Sequence, residues 1–403
     1  MNGEKTFYNQ FIDNLSVRYP ETARRIDIRE RLSSLLVSPH VVSLPLNLSS
    51  EAEKIISAFA ALRDLNPRKK ELARLAPALI DPGNYSVLMS YDFHVDSSGH
   101  LRLIEINTNA SMSLIGEHLY LVQKINQPYS TDFSKEIVES FRQEYRLTLP
   151  IGAGLKRVAI VDDTPLNQRL YVEFELYREL FEKNGIAAVI ADPGELKFTN
   201  GQLMHGTDKI DLVYNRDTDF YLQSEKMRAI QAAYQSRAAC VTPGPFDYRL
   251  LADKERLREL SDTSVFRELA LSAEQKHSLE QTLIRTRDIT SFASPEELWN
   301  DRKKWFFKPK RSFGGKAVYR GNAISRGTFQ TVLTTGDYLV QENVPPQTFK
   351  FPGAEGEQEF KSDLRFYVYQ DKIQMACARL YRGQMTNSQT EGGGFAVIEW
   401  KQN

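Results

Sequence analysis

The chain has 403 residues, too many for one ordinary hydrophobic core, and suits two or three packed lobes. Its 41% hydrophobic and 26% charged residues are those of a soluble globular protein, and 52 Lys and Arg against 52 Asp and Glu leave no net charge to favour nucleic acid or a membrane surface. Cys240 and Cys377 stand far apart and no CxxC or HExxH spacing occurs, which argues against a disulfide framework and leaves a zinc site without support. No apolar run is long enough to cross a bilayer, and the polar start MNGEKTFYNQFIDNL has no signal core, so a cytoplasmic enzyme is expected.

The first eighty residues read as helices and loops, with a helix start at Ser49-Ser50-Glu51-Ala52-Glu53 and helical periodicity to Arg63. Tyr91 to Val95, a turn at Ser97-Ser98-Gly99, and Leu101 to Ile106 alternate as a β-hairpin. A helix follows over 134–147. Pro150, Gly152 and Gly154 mark a linker. Arg157 to Asp162 then reads as a buried strand, Tyr171 to Asn184 as a helix ending at Gly185, and Ala187 to Ile190 and Ile210 to Asn215 as further strands. That alternation predicts a small Rossmann-like lobe. Beyond residue 250 come a helix at Lys254 to Leu260 and strands at Trp305 to Lys308, Ala317 to Tyr319, Tyr338 to Gln341, Leu364 to Tyr369 and Ile373 to Leu380. This region is predicted to be mostly antiparallel. The expected regions are 1–150, 151–245 and 246–403.

Several groups could carry chemistry. Glu105 and Asn107 are two apart on a strand and point to one face, with Asp92 on the paired strand. Three oxygen donors there suit a hard cation such as Mg²⁺; the alternative is a solvent-facing polar hairpin face. Lys308 ends a strand before a loop, Arg311 to Lys316, whose Gly314 and Gly315 would let N–H groups turn toward an anion; a surface hairpin loop is the other reading. Tyr338 to Asn343 is an apolar strand ending in Gln341-Glu342. Asp363 and Arg365 share a face of the next strand, and Arg379, Arg382, Asn387 and the triple glycine Gly392-Gly393-Gly394 follow. The glycines suggest a mobile loop or an anion-binding nest.

The order and spacing of these pieces, from about Tyr91 to Trp400, resemble the ATP-grasp superfamily of carboxylate–amine or –thiol ligases that form ADP. Within it the resemblance is to eukaryotic-type glutathione synthetase, whose ATP-grasp sequence is circularly permuted. The implied fold is α/β: a permuted ATP-grasp core with an inserted substrate lobe. The resemblance implies Mg²⁺ on Glu105 and Asn107 of the Leu103 to Thr108 strand, ATP phosphates on Lys254 and Lys308, and a glycine loop at Gly314-Gly315 covering them. Gln341 and Glu342 would read adenine through the backbone. Asp363, Asn387, Arg365 and Arg382 would complete the nucleotide and phosphoryl site, with Arg365, Arg382 and Lys308 as its catalytic residues. Gln168, Arg216, Ser111, Gly393 and Gly394 would face the substrates, a small carboxylate (amino acid or peptide) and an amine.

The chain also departs from that family. Ser312 replaces a metal-binding glutamate, and Asp92 is expected to take over the contact. Ala110 and Met112 stand where the family has serines, Ser86 near an arginine position and Asp219 at an aromatic one. These losses imply a carboxylate related to, but different from, that of glutathione synthetase, joined to an amine through an acyl phosphate. The rival reading is an ATP-binding scaffold without catalysis. The first eighty residues match no part of the family and would either cover the site or form a homodimer contact.

Overall fold

The computed structural model describes residues 2–65, 79–149, 154–267, 269–310, 317–353, 356–384, 386–387 and 390–402. The strands, in chain order, are β1 (Val37–Pro45), β2 (Met89–Val95), β3 (Leu101–Asn107), β4 (Arg157–Val161), β5 (Ala187–Ala191), β6 (Leu196–Thr199), β7 (Gln202–His205), β8 (Asp208–Lys209), β9 (Leu212–Asn215), β10 (Cys240–Thr242), β11 (Thr286–Asp288), β12 (Trp305–Pro309), β13 (Tyr319–Arg320), β14 (Tyr338–Glu342), β15 (Gln347–Gly353), β16 (Gly356–Tyr369), β17 (Lys372–Tyr381) and β18 (Gly394–Lys401).

A seven-stranded sheet in the order β1-β18-β17-β16-β2-β3, with β15 on β16, forms the centre. It takes strands from both ends of the chain. β1 corrects the reading of the first eighty residues as helices and loops: Val37 to Pro45 pairs in parallel with β18. Pro39 and Pro45 hide it in the sequence. Pairing is interrupted between Val37 and Val41, where Pro39 has no N–H to give. The C-terminal strands are antiparallel to one another as predicted, but they close a sheet with the early hairpin instead of forming one of their own.

The two faces of this sheet differ along their length. Leu364, Phe366 and Val368 of β16 alternate onto one face, where Ile55, Ile56 and Phe59 of the helix Asn47–Asp64 join them in an apolar core. On the opposite face Tyr367, Met375, Cys377 and Val397 pack with the helices Ser113–Gln123, Phe133–Thr148 and Tyr171–Lys183. That second core stops at Arg365 and Asp363, where the face turns polar.

The middle of the chain holds an all-parallel four-stranded sheet, β10-β9-β4-β5. The strands β4, β5 and β9 and the helix Tyr171–Lys183 lie where periodicity places them; β10 was not read from the sequence. The antiparallel sheet β6-β7-β8 lies beyond the sequence reading. A second four-stranded sheet, β11-β14-β12-β13, is wholly antiparallel. Its strand β13 begins at Tyr319, two residues after the predicted Ala317. Among the described residues no helix is long and apolar enough to cross a membrane.

Candidate active site

The site forms where the small antiparallel sheet faces the polar end of the large one. On β3 the ladder slips: Asp92 pairs with Glu105, but Phe93 pairs with Leu103, leaving Ile104 as an extra residue. This bulge re-aims the strand, so Ile104 lines the cleft together with Glu105 and Asn107. The alternative of a solvent-facing hairpin does not hold, because every residue of β2 is buried.

Asp92 sits beneath this pair, with no solvent exposure. The arginine Nε and Nη2 of Arg365 donate to its two oxygens at 2.9 and 2.7 Å, and Arg379 Nη2 donates at 2.9 Å. Asn107 Nδ2 adds a bond at 3.2 Å and a second, at 3.3 Å, to Glu105. Burial pushes the Asp92 carboxyl upward, but the two guanidiniums outweigh it and hold the group below the usual carboxylate range. The third oxygen ligand expected from the sequence is therefore a carboxylate already committed to two arginines. Among the described residues no group of three His, Cys, Asp or Glu side chains could hold a metal ion.

Arg379 extends the network by donating Nε–H to Asp363 at 2.5 Å, and the Thr386 hydroxyl bonds the other oxygen of Asp363. Two acids thus fix two arginines at the cleft wall. Register explains it: Asp92 lies opposite Arg365, and Asp363 opposite Arg379.

The facing wall is built differently. Lys308 Nζ donates to the Gln341 side-chain oxygen at 2.6 Å and to the carbonyl of the bulged Ile104 at 3.3 Å. Gln341 Nε2 approaches the same carbonyl at 3.4 Å, so β12 and β14 reach β3 through one backbone oxygen. Burial lowers the Lys308 ammonium from 10.5 to about 8 despite the pull of Glu105. Lys254 opens the helix Lys254–Leu260, which Asp253 caps by accepting from Glu255 N–H; burial lowers its pKa as well. The expected backbone reading at Gln341-Glu342 is restricted: the N–H groups of Glu342 and Asn343 are spent on the carbonyls of Arg285 and Lys304.

Between the walls lies a cleft of about 430 Å³. Glu105, Asn107, Ser111, Lys254, Lys308, Gln341, Glu342, Asp363, Arg365, Asn387 and Gly394 all line it. Other expected residues lie elsewhere. Arg382 is exposed, donates to Gln358 at 2.6 Å and lies over Phe360 at 4.5 Å. Arg216 is buried and donates to the carbonyls of Asn109 and Ala110 at 2.7 and 3.1 Å, where it braces the loop after β3. Gln168 donates to the Asp163 carbonyl at 2.6 Å; its neighbours Arg169 and Leu170 are the ones that reach the cleft. Gly314, Gly315 and Ser312 lie outside the described residues.

Two of the three glycines, Gly393 and Gly394, are a close approach of backbones where β18 starts. A Cβ on Gly394 would stand 2.5 Å from the Leu36 carbonyl carbon, and one on Gly393 would stand 2.6 Å from the Leu380 oxygen. Packing against β1 and β17 accounts for these two glycines.

Arg379 and His94 are among the cleft residues the site prediction left out. For Arg379 the signal was present: it shares a strand face with Cys377 and Tyr381 and precedes the expected Arg382 by three. His94 follows Asp92 by two on the same face, and its Nδ1 bonds the Val344 carbonyl at 2.7 Å. Burial lowers its pKa.

No family model and no curated protein matches the sequence. Among solved structures, a protein from Methylobacillus flagellatus KT provisionally named gamma-glutamylcysteine synthetase is similar at a TM-score of 0.52 and 10% identity, over 90% of this chain and 89% of that one. D-cycloserine synthetase DcsG has a TM-score of 0.31 at 11% identity, over 57% of this chain and 75% of its own. The ATP-grasp ligase PsnB, solved with minimal precursor, Mg and ADP, has 0.29 at 12%, over 60% and 88%. The first likeness shows a shared mixed α/β fold across nearly the whole of both chains; the other two are too distant to add to it.

Proposed function

We propose that the protein is an ATP-dependent, ADP-forming carboxylate–amine ligase of the ATP-grasp type, related to glutathione synthetase and acting on a different carboxylate. The observation that carries this reading is the single cleft into which Glu105, Asn107 and Arg365 of the large sheet and Lys308 and Gln341 of the small one all project. Glu105 and Asn107 fit Mg²⁺, which takes one or two protein oxygens and completes its shell with phosphates and water. Their donor set is short of a full cage, as that usage requires. Lys254 and Lys308 fit a polyanion, since each is a cation depressed by burial that a phosphate would restore.

With Mg–ATP bound, the metal would supply neutralisation of phosphate charge. The chain's own residues would do the rest. Lys308, fixed by Gln341 and Ile104, would hold the phosphates in line. Arg365 and Arg379, pre-set by Asp92 and Asp363, would face the carboxylate and stabilise the charge that builds on its oxygens as it is activated and attacked by an amine. Such preorganised donors supply the largest electrostatic share of catalysis. Asp92 would serve as the counter-ion that orients both arginines.

The test is ADP release measured over a panel of carboxylates, each with and without amines. Carboxylate-dependent ADP release that Lys308→Ala and Glu105→Ala both abolish is the expected result. ATP binding with no turnover for any pair would instead favour the scaffold reading, and a near-wild-type rate in either variant would remove that residue from the mechanism.

A further inference from the structure

Across the large sheet the cleft face changes character in one direction. Register places Asp92 beside Arg365, Asp363 beside Arg379, and Arg379 beside Phe395. The next strand, β1, pairs Val37 with Phe395, so Leu36 stands at the far edge. Charged groups thus occupy β3 to β17, and apolar ones take over at β18 and the start of β1. Met112 and Leu170 join Leu36 and Phe395 in lining the cleft, and all four belong to one apolar cluster.

The pocket is firmly built. Met112 has φ 72, and its N–H donates to the buried Glu173 at 2.9 Å. The neighbouring Ser111 carbonyl accepts the Tyr367 hydroxyl at 2.5 Å. Leu36 is pinned by the close approach of Gly394. The Arg365 guanidinium lies 5.9 Å from the Phe395 ring centre, so a cation and an apolar wall share this end.

We propose that the acid substrate carries an apolar side group, aliphatic or aromatic, seated among Leu36, Met112, Leu170 and Phe395 with its carboxylate toward Arg365. This rests on the ligase reading for the carboxylate's fate, but the pocket's preference is a binding property that can be measured without turnover. A second carboxylate would lie against these four apolar side chains, although the exposed Arg169, next to Leu170 in the chain, also lines the cleft. Arg216, expected to face the substrates, is turned to backbone carbonyls instead, and burying a charge against an apolar wall is costly. Seating a leucine-sized group against such a wall is worth about ten- to a hundredfold in affinity.

The experiment is calorimetric titration of the full chain with two matched pairs, 4-methylpentanoate against glutarate and leucine against glutamate. The apolar member of each pair is expected to bind about ten- to a hundredfold more tightly. Leu170 is only half-buried, so Leu170→Arg should fold, and it should shift preference toward glutarate. Leu170→Ala is the milder variant and should weaken both apolar ligands alone. Equal or tighter binding of the diacids, no binding of any of the four, or a preference untouched by both substitutions overturns the proposal. Apolar binding without ADP release for any acid–amine pair would defeat the ligase reading and leave this pocket standing.

Discussion

The two walls of the cleft hold their cations in opposite ways. On the large sheet Arg365 and Arg379 are locked to Asp92 and Asp363, and the acids come from neighbouring strands in register. On the small sheet Lys308 is held by neutral oxygens, a glutamine side chain and a bulged carbonyl. A buried pair is rigid but largely self-compensated, so its arginines present fixed donors with little net charge. A lysine on neutral acceptors keeps its charge for whatever enters, and its burial in the cleft wall lowers its pKa. One wall therefore supplies geometry and the other supplies charge.

That contrast can be broken from either side. The largest effect on stability is expected from Asp92→Ala, which leaves the buried Arg365 and the partly buried Arg379 without their shared acid. Urea unfolding should show a loss of about 3–5 kcal/mol. The largest effect on rate belongs to Lys308→Ala, with ADP release falling at least about 10²–10³-fold, while urea unfolding stays close to wild type. The pH dependence should follow the same wall. Lys308 is charged below about pH 8 and loses its proton above it, so the affinity for a Mg–nucleotide analogue should be full at pH 7 and fall about tenfold by pH 9. Lys308→Arg should flatten that profile, because arginine stays charged throughout.

Smaller changes sharpen the comparison. Gln341→Leu removes a neutral tether worth about 1 kcal/mol, so nucleotide affinity should fall about fivefold with Arg365 and Arg379 undisturbed. Arg382→Ala should be the mildest, within about 0.5 kcal/mol in stability, because that side chain is exposed and away from the cleft. A large drop in ADP release in this variant would return Arg382 to the site.

Much of the site was legible because strand alternation is local. Glu105 with Asn107, and Asp363 with Arg365, share faces by their spacing of two, and the hairpins β2–β3 and β16–β17 lie where turn residues place them. The role of Asp92 was not legible. Its partners lie 273 and 287 residues away, and only strand order makes them neighbours. Arg382 was misplaced for a related reason: where β17 ends, at Tyr381, alternation no longer says which way a side chain points.

By itself, then, the sequence determined many of the elements and the chemical types on their faces, because propensity and period-two alternation depend on neighbours along the chain. Tertiary structure alone decided that Val37–Pro45 is a strand, that Ile104 bulges to offer its carbonyl to Lys308, and that Gly393 and Gly394 pack backbone on backbone. Each of these depends on a partner strand supplied by a distant part of the chain, and hydrogen-bond pairing across a sheet leaves no mark in the local pattern.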